Sequence, residues 1–323
     1  MKIPKAGNIL IPNIDKKIEE KLKEFKLTPE ITPQQFLAIH KNGKHRYFSI
    51  CKNESGKKMA FYSRLHFNLD AKNKITEEIR FLKKLKKSNL KIKKIVPQLI
   101  DYGIEKDFEW FIRECPPGKP LGQSRTLEQK IEKRVIPKLI EIVFQILKIQ
   151  PNFLSNLRKF EIKNYLPEKI YRILIKEKFL ERERANSIQN FIKKNFMLLK
   201  KENRYFCHGD LNLGNIISNG KNFFLIDWEL IHINNFAYDI GYLWSHLWQA
   251  KKEIRQALIF EYLKKLSPEK LKKFKILFPI VASFLALGGI RFKEEKKSLA
   301  KKRKSFYSAV YKNFFDFEKL IKL

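Results

Sequence analysis

Between Cys207 and Glu229 the chain gathers groups that can do chemistry. Cys207-His208-Gly209-Asp210-Leu211-Asn212-Leu213-Gly214-Asn215 is followed, after a short interval, by Leu225-Ile226-Asp227-Trp228-Glu229. The pattern is H-x-D-x-x-x-x-N, a hairpin, then an apolar pair ending in Asp. Transfer of a phosphoryl group to a hydroxyl needs these parts. One carboxylate orients the hydroxyl and takes its proton. An amide oxygen and a second carboxylate hold a divalent cation that neutralises phosphate charge. Asp210 fits the first role, and Asn215 and Asp227 fit the second. A hairpin lets the latter two, 12 positions apart, face one metal from adjacent strands. Mg²⁺ is hard and suits an all-oxygen set. Each residue alone could be an ordinary turn residue; the joint offsets favour the catalytic reading. His208 reads as a hydrogen-bonded brace, and Cys207 as a small buried filler rather than a nucleophile. Glu229 is as readily a salt-bridged surface group as a neighbour of the metal.

The surrounding patterns say what positions these groups. Ile14, Ile18, Leu22 and Phe25 recur at helical spacing behind Asn13, a candidate N-cap. Gln34–His40, Arg46–Cys51 and Lys58–His66 are aromatic or β-branched segments separated by Lys41–Lys44 and Lys52–Lys57, the signature of an antiparallel meander. Thr76–Lys87 reads as a helix, and Val96–Tyr102 and Glu109–Cys115 as strands. Pro116-Pro117-Gly118 breaks the pattern. Helices then dominate: Leu127–Gln150, with Pro137 marking a kink or a late start, Pro167–Glu177 and Arg182–Leu199. Tyr205–Cys207, Asn215–Ser218 and Asn222–Ile226 form a strand-like interval. Tyr238–Lys251, Glu253–Leu263, Pro268–Leu287 and Ser305–Ile321 return to helix. Strands followed by helices in segregated runs imply an α+β, two-lobed chain. The expected parts are an N-terminal helical extension over 1–29, a sheet-bearing lobe over 30–117 and a helical lobe over 118–323.

At HGDLNLGN and LIDWE the sequence resembles the aminoglycoside phosphotransferase/choline kinase group, which has the protein-kinase-like fold. The resemblance implies a small antiparallel-sheet N-lobe and a large helical C-lobe, with ATP and Mg²⁺ bound between them. It implies that Asp210 is the base, that Asn215 and Asp227 are metal ligands, and that Asp239 in AYDIGYLW stabilises the C-lobe around the catalytic loop. Phe111–Leu121, FIRECPPGKPL, resembles the family's hinge, which would turn backbone groups of Glu114 and Cys115 to the adenine. Glu78–Leu85 resembles the helix whose Glu pairs with the phosphate-binding Lys; Glu78 is the candidate and Glu77 the fallback. Two places depart from the family pattern. Arg64 stands where the phosphate-contacting Lys is most often found, and it can grip a carboxylate and a phosphate in bidentate fashion without being equivalent to Lys. Lys58 substitutes only with a register shift. The phosphate-covering loop has a single glycine, Gly43, in place of G-x-G-x-x-G.

Composition bounds the alternatives. The chain has 323 residues, and 68 Lys+Arg against 34 Asp+Glu leave a net charge of 68 − 34 = +34. At 44% hydrophobic residues a packed core is expected, not disorder. Three cysteines, 51, 115 and 207, give neither a disulfide framework nor a CxxC metal site. The apolar run Ile276–Ile290 is too short to span a bilayer and reads as a buried core helix. With no signal-peptide pattern, the expected compartment is the cytoplasm. The excess Lys is spread along the chain beside many Ile, Asn and Phe, a compositional bias more than a polyanion surface. No motif supports specific nucleic-acid readout. Weak binding to an anionic surface stays open, and Lys293–Lys304 reads as a solvated helix face. The expected activity is an ATP- and Mg²⁺-dependent transfer to a hydroxyl of a small polar acceptor: a sugar, an amino-alcohol or an aminoglycoside-like molecule. The alternative is a degenerate kinase acting as a nucleotide-binding or scaffold protein. Cationic acceptors would need local acids, for which Glu229, Glu181 and Glu183 are the candidates. Trp228, Trp244 and Trp248 read as core.

Overall fold

A computed structural model describes residues 14–39, 46–65, 74–105, 108–122, 131–165, 168–176, 179–291 and 297–323. The chain divides into two compact units, one within Met1–Lys86 and Pro97–Pro116, the other within Lys87–Val96 and Pro117–Leu323.

The first unit contains α1 (Ile14–Glu24), β1 (Thr28–Pro29), α2 (Pro33–Ile39), β2 (Arg46–Lys52), β3 (Lys58–Leu65), α3 (Lys74–Lys86), β4 (Leu99–Ile104) and β5 (Phe108–Glu114). Its five strands form an antiparallel sheet in the order β1-β2-β3-β5-β4. Side chains alternate between the two faces. On one face Tyr47, Cys51, Phe61, Phe108, Trp110 and Ile112 join Ile18 and Leu22 of α1 in a single buried cluster. The other face carries Ala60, Tyr62, Arg64, Glu109, Phe111 and Arg113, because these pair with one another across β3 and β5 at the alternate positions.

Gln34–His40 is a correction. The segment expected as a strand is helical over Pro33–Ile39. The cause is a capping box: the Gln35 amide donates to Thr32 Oγ1 at 3.2 Å, and the Thr32 amide donates to Gln35 Oε1 at 2.9 Å. Pro33, at the first helical position, has no N–H to leave unpaired. The fifth strand is instead Thr28–Pro29, where Pro29 sits on a sheet edge.

The second unit comprises β6 (Lys119–Pro120), α4 (Ile136–Leu147), α5 (Glu168–Lys176), α6 (Arg182–Lys194), α7 (Phe196–Glu202), β7 (Tyr205–Cys207), β8 (Ile216–Ser218), β9 (Phe223–Leu225), β10 (His232–Asn234), α8 (Tyr238–His246), α9 (Lys252–Leu263), α10 (Pro268–Arg291), α11 (Lys297–Lys312) and α12 (Phe317–Ile321). Pro137 marks a late start, since it lies in the first turn of α4. The single helix expected over Arg182–Leu199 is two helices broken at Asn195, whose side chain donates to the Phe191 carbonyl. β10 was not expected; it pairs antiparallel with β7. Leu277, Phe278, Ile280, Val281, Ala282 and Leu287 of α10 are buried, as a core helix requires. No described helix is long and apolar enough to cross a membrane. Lys301 and Lys302 are exposed, but Arg303 is buried, so that stretch is not a uniformly solvated face. Trp228 and Trp244 are core, and Trp248 is half-buried.

β6, β8 and β9 form a three-stranded sheet that begins at Lys119, just after Gly118. Gly118 has φ 115, and a Cβ there would lie 2.2 Å from the Ser218 carbonyl oxygen. Gly118→Ala should therefore destabilise the protein by about 1–3 kcal/mol through strain and clash; urea unfolding measures it.

Candidate active site

The residues from His208 to Asp227 are gathered by one helix and one hairpin. Asp239, in the first turn of α8, is buried and accepts the backbone N–H of His208 at 2.8 Å and of Gly209 at 3.1 Å. Gly209 has φ 86, and a Cβ there would stand 2.1 Å from the Leu230 carbonyl oxygen, so only glycine permits this approach. His208 is buried and serves as the expected brace. Its Nδ1 accepts from the Asp210 amide at 3.3 Å, and its Nε2–H donates to the Ile226 carbonyl at 3.0 Å. One neutral tautomer satisfies both bonds. The ring packs against Trp228 with centroids 4.5 Å apart. Burial pushes its pKa down to about 4.

Asp210 is half-buried, and three side-chain donors hold its carboxylate. Tyr242 Oη–H donates to Oδ1 at 2.6 Å, Asn212 Nδ2 to Oδ1 at 3.1 Å, and Asn215 Nδ2 to Oδ2 at 3.0 Å. Asn215 Nδ2 also donates to the Asp210 carbonyl at 2.9 Å. With its nitrogen committed to Asp210, the Asn215 amide turns Oδ1 away from it. The Ile226 amide donates to the Asn215 carbonyl at 3.0 Å, continuing the β8–β9 ladder. That bond brings the residue before Asp227 alongside Asn215. Asp227 is half-buried and adopts φ 66, a left-handed conformation that Asp tolerates better than most side chains. The donor set is therefore an amide oxygen and a carboxylate on adjoining segments, both hard ligands and suited to Mg²⁺. Among the described residues no cluster of three His, Cys, Asp or Glu offers an alternative metal site.

Sequence reasoning missed Tyr242 and Asn212 as partners of Asp210. The available signal was Tyr242 at three residues beyond Asp239, which places both on one helix face. Beneath the loop, a buried network joins Tyr165, His232, Asn234 and Asn235. Tyr165 Oη–H donates to Asn234 Oδ1 at 2.9 Å, and Asn235 Nδ2 donates to Tyr165 Oη at 3.1 Å. Burial pushes His232 down to about 4 as well.

The first unit holds the other expected residues. Arg64 on β3 and Glu78 on α3 are both buried. Directly opposite Arg64 on β5 is Glu109, also buried, which accepts a hydrogen bond from Thr76 Oγ1 at the start of α3. Side chains facing each other across strands lie ~5 Å apart at Cβ, so Glu109 is a second carboxylate within reach of Arg64. Glu77, the fallback, pairs with Arg80 at 2.6 Å. Lys58 is solvated and pairs with Glu30 at 3.4 Å. The Glu114 amide donates to the Gln98 carbonyl at 3.0 Å and is spent inside the sheet. Cys115 is half-buried, and burial raises its thiol pKa. Gly43 lies outside the described residues. Glu229 is half-buried, while Glu181 and Glu183 are exposed and alternate with Arg182 and Arg184, so α6 supplies no net negative field there.

This arrangement, a loop carrying Asp210 pinned under α8 and followed by a hairpin that sets Asn215 beside the segment of Asp227, is that of a protein-kinase-like phosphotransferase fold. The profile of the phosphotransferase enzyme family, APH, matches residues 52–273, and the chain belongs to that family. Solved structures with a similar fold include the amicoumacin kinase hAmiN in complex with AMP-PNP and Ca²⁺, with TM-score 0.58 and 14% identity over 94% of this chain and 96% of that one. Another is the aminoglycoside phosphotransferase APH(4)-Ia with ADP and hygromycin B, with TM-score 0.55 and 9% identity over 93% and 97% of the two chains. A third is choline kinase from Cryptosporidium parvum Iowa II, with TM-score 0.52 and 16% identity over 86% and 89%. At these identities the likeness is one of fold. No curated protein matches the sequence.

Burial raises the pKa of Asp239 to about 7. In the unfolded chain His208 and His232 titrate near 6.5 and Asp239 near 3.8. The stabilisation from the two depressed histidines is complete above about pH 6.5 and is lost as pH falls toward 4. Asp239 works in reverse, since its raised pKa favours the folded state at low pH and that contribution is lost as pH rises through 7. Between pH 5 and 6 the unfolded state thus binds roughly one net extra proton at these three sites, and stability should rise by about 1 kcal/mol. In Asp239→Asn the opposing group is gone, and the rise should approach about 2 kcal/mol, on top of a loss of about 1–3 kcal/mol at pH 7 from the weakened loop bonds. Urea unfolding at the three pH values checks both.

Proposed function

We propose that this protein is an ATP- and Mg²⁺-dependent kinase that transfers the γ-phosphoryl group to a hydroxyl of a small polar acceptor. The observation that carries this reading is the Asp210 carboxylate, oriented by Tyr242, Asn212 and Asn215 beside the segment bearing Asp227. Asp210 accepts the acceptor's O–H and draws off its proton as the oxygen bonds to phosphorus and the bond to the departing ADP breaks. Asn215 Oδ1 and the Asp227 carboxylate would hold Mg²⁺, which supplies neutralisation of phosphate charge. Such catalysis rests on positioning and electrostatics rather than covalent chemistry on the protein. Arg64 would contact phosphate, with Glu78 and Glu109 as the carboxylates that hold its guanidinium. With the Glu114 amide spent on Gln98, Cys115 is the hinge residue left to offer an amide to the base. Gly43 would belong to the phosphate-covering loop.

The charge of +34 favours a neutral or anionic hydroxyl compound, such as a sugar or a phosphorylated metabolite, over a polycation. Asp210→Asn should fold as wild type and lose about 10²–10⁴-fold in ATP-dependent phosphorylation of an acceptor panel. Asp227→Asn should raise the Mg²⁺ concentration needed for half-maximal rate. Full activity in Asp210→Asn would sink the assignment of the base, and Mg²⁺-dependent ATP binding without turnover on any acceptor would favour the degenerate-kinase alternative.

A further inference from the structure

The geometry points to Tyr242 as a positioning residue that confines the acceptor hydroxyl to one oxygen of Asp210 and thereby selects which hydroxyl of a polyol is phosphorylated. This rests on the reading of Asp210 as the base. An ionised carboxylate offers about four lone-pair directions, two on each oxygen. Tyr242 and Asn212 take both on Oδ1, at 2.6 Å and 3.1 Å. Asn215 takes one on Oδ2, at 3.0 Å. A hydroxyl can therefore dock on Oδ2 alone, from one direction, next to the amide whose Oδ1 is the proposed metal ligand. Without the phenol, Oδ1 regains an acceptor site, and a hydroxyl or a water could dock in a second pose.

The phenol is built to stay in place. Its ring stacks on His246 with centroids 4.3 Å apart and planes at 18°. His246 Nδ1–H donates to the Tyr242 carbonyl at 2.9 Å, and Ser245 Oγ–H donates to the same carbonyl at 2.9 Å. One helical turn earlier, Asp239 ties α8 to the backbone at His208 and Gly209, so the loop and the phenol cannot shift independently. Burial and the neighbouring Asp210 charge hold the phenol well above its usual range, so it remains a donor at neutral pH. The bond is charge-assisted, which accounts for its shortness.

The test uses the full chain with Mg²⁺ and ATP, and glucose, glycerol and kanamycin, each bearing several hydroxyls, as acceptors. Tyr242→Phe removes a single oxygen. The expected result is a kcat lower by about tenfold, a KM for ATP unchanged within about twofold, more ATP hydrolysed to water per acceptor phosphorylated, and a mixture of monophosphates where wild type makes one, resolved by ³¹P NMR. A merely structural role would not alter which hydroxyl is phosphorylated. If wild type is active and Tyr242→Phe gives the same kcat and the same single product, this proposal falls and the kinase reading stands. If wild type neither phosphorylates an acceptor nor hydrolyses ATP, both fall. Should Tyr242→Phe fail to fold, the bond itself is read in wild type. A downfield hydroxyl proton in the ¹H NMR spectrum, lost in Asp210→Asn, supports the contact; its persistence in Asp210→Asn overturns it.

Discussion

The loop from His208 to Asn215 depends on one buried carboxylate. Asp239 takes the amide protons of His208 and Gly209 and leaves the loop no freedom to swing away from α8. A carboxylate in an apolar interior is costly unless it is hydrogen-bonded, and these two bonds are what make its burial tolerable. The constraint propagates outward. Gly209 must be glycine because the loop is drawn against the Leu230 carbonyl. His208 must be neutral because it both accepts from Asp210 and donates to Ile226. Asp210 then emerges at a defined height, where Tyr242, on the same face of α8, meets it.

The loop and the hairpin are a single construction. His208 reaches across to the Ile226 carbonyl, and the Ile226 amide reaches back to the Asn215 carbonyl. The segment that ends in Asp227 is thus fixed from both sides before any ligand binds. The left-handed backbone at Asp227 is a local cost where the chain leaves the hairpin and enters the following turn. Trp228, buried against His208, closes the arrangement from below.

The sheet-bearing unit follows a different logic. One face is an apolar cluster shared with α1, and the opposite face holds two arginines and a glutamate that are buried at alternate positions. Buried guanidinium and carboxylate groups are expensive unless matched, and Arg64 and Glu109 are placed opposite one another across β3 and β5.

Several of these features were legible in the chain itself. HGDLNLGN and LIDWE, read by offset, single out Asp210, Asn215, Asp227 and His208 as candidates, because a loop motif is local and its spacing is set by covalent geometry. The same holds for the break at Pro116-Pro117-Gly118 and for the segregated strands and helices. The T-P-Q-Q capping signal of α2 is equally local, and its capping box overrides the aromatic and β-branched content of Gln34–His40. What the sequence could not contain is the meeting of residues far apart along it. The Asp239 bonds to the loop span some thirty positions, as does the phenol of Tyr242 on Asp210. Arg64 faces Glu109 only through the register of β3 on β5. The sequence by itself determined which groups could do the chemistry, since type and short spacing are properties of the chain. Tertiary structure alone decided how the Asp210 carboxylate is oriented, because lone pairs are assigned by donors that only folding brings within hydrogen-bond distance.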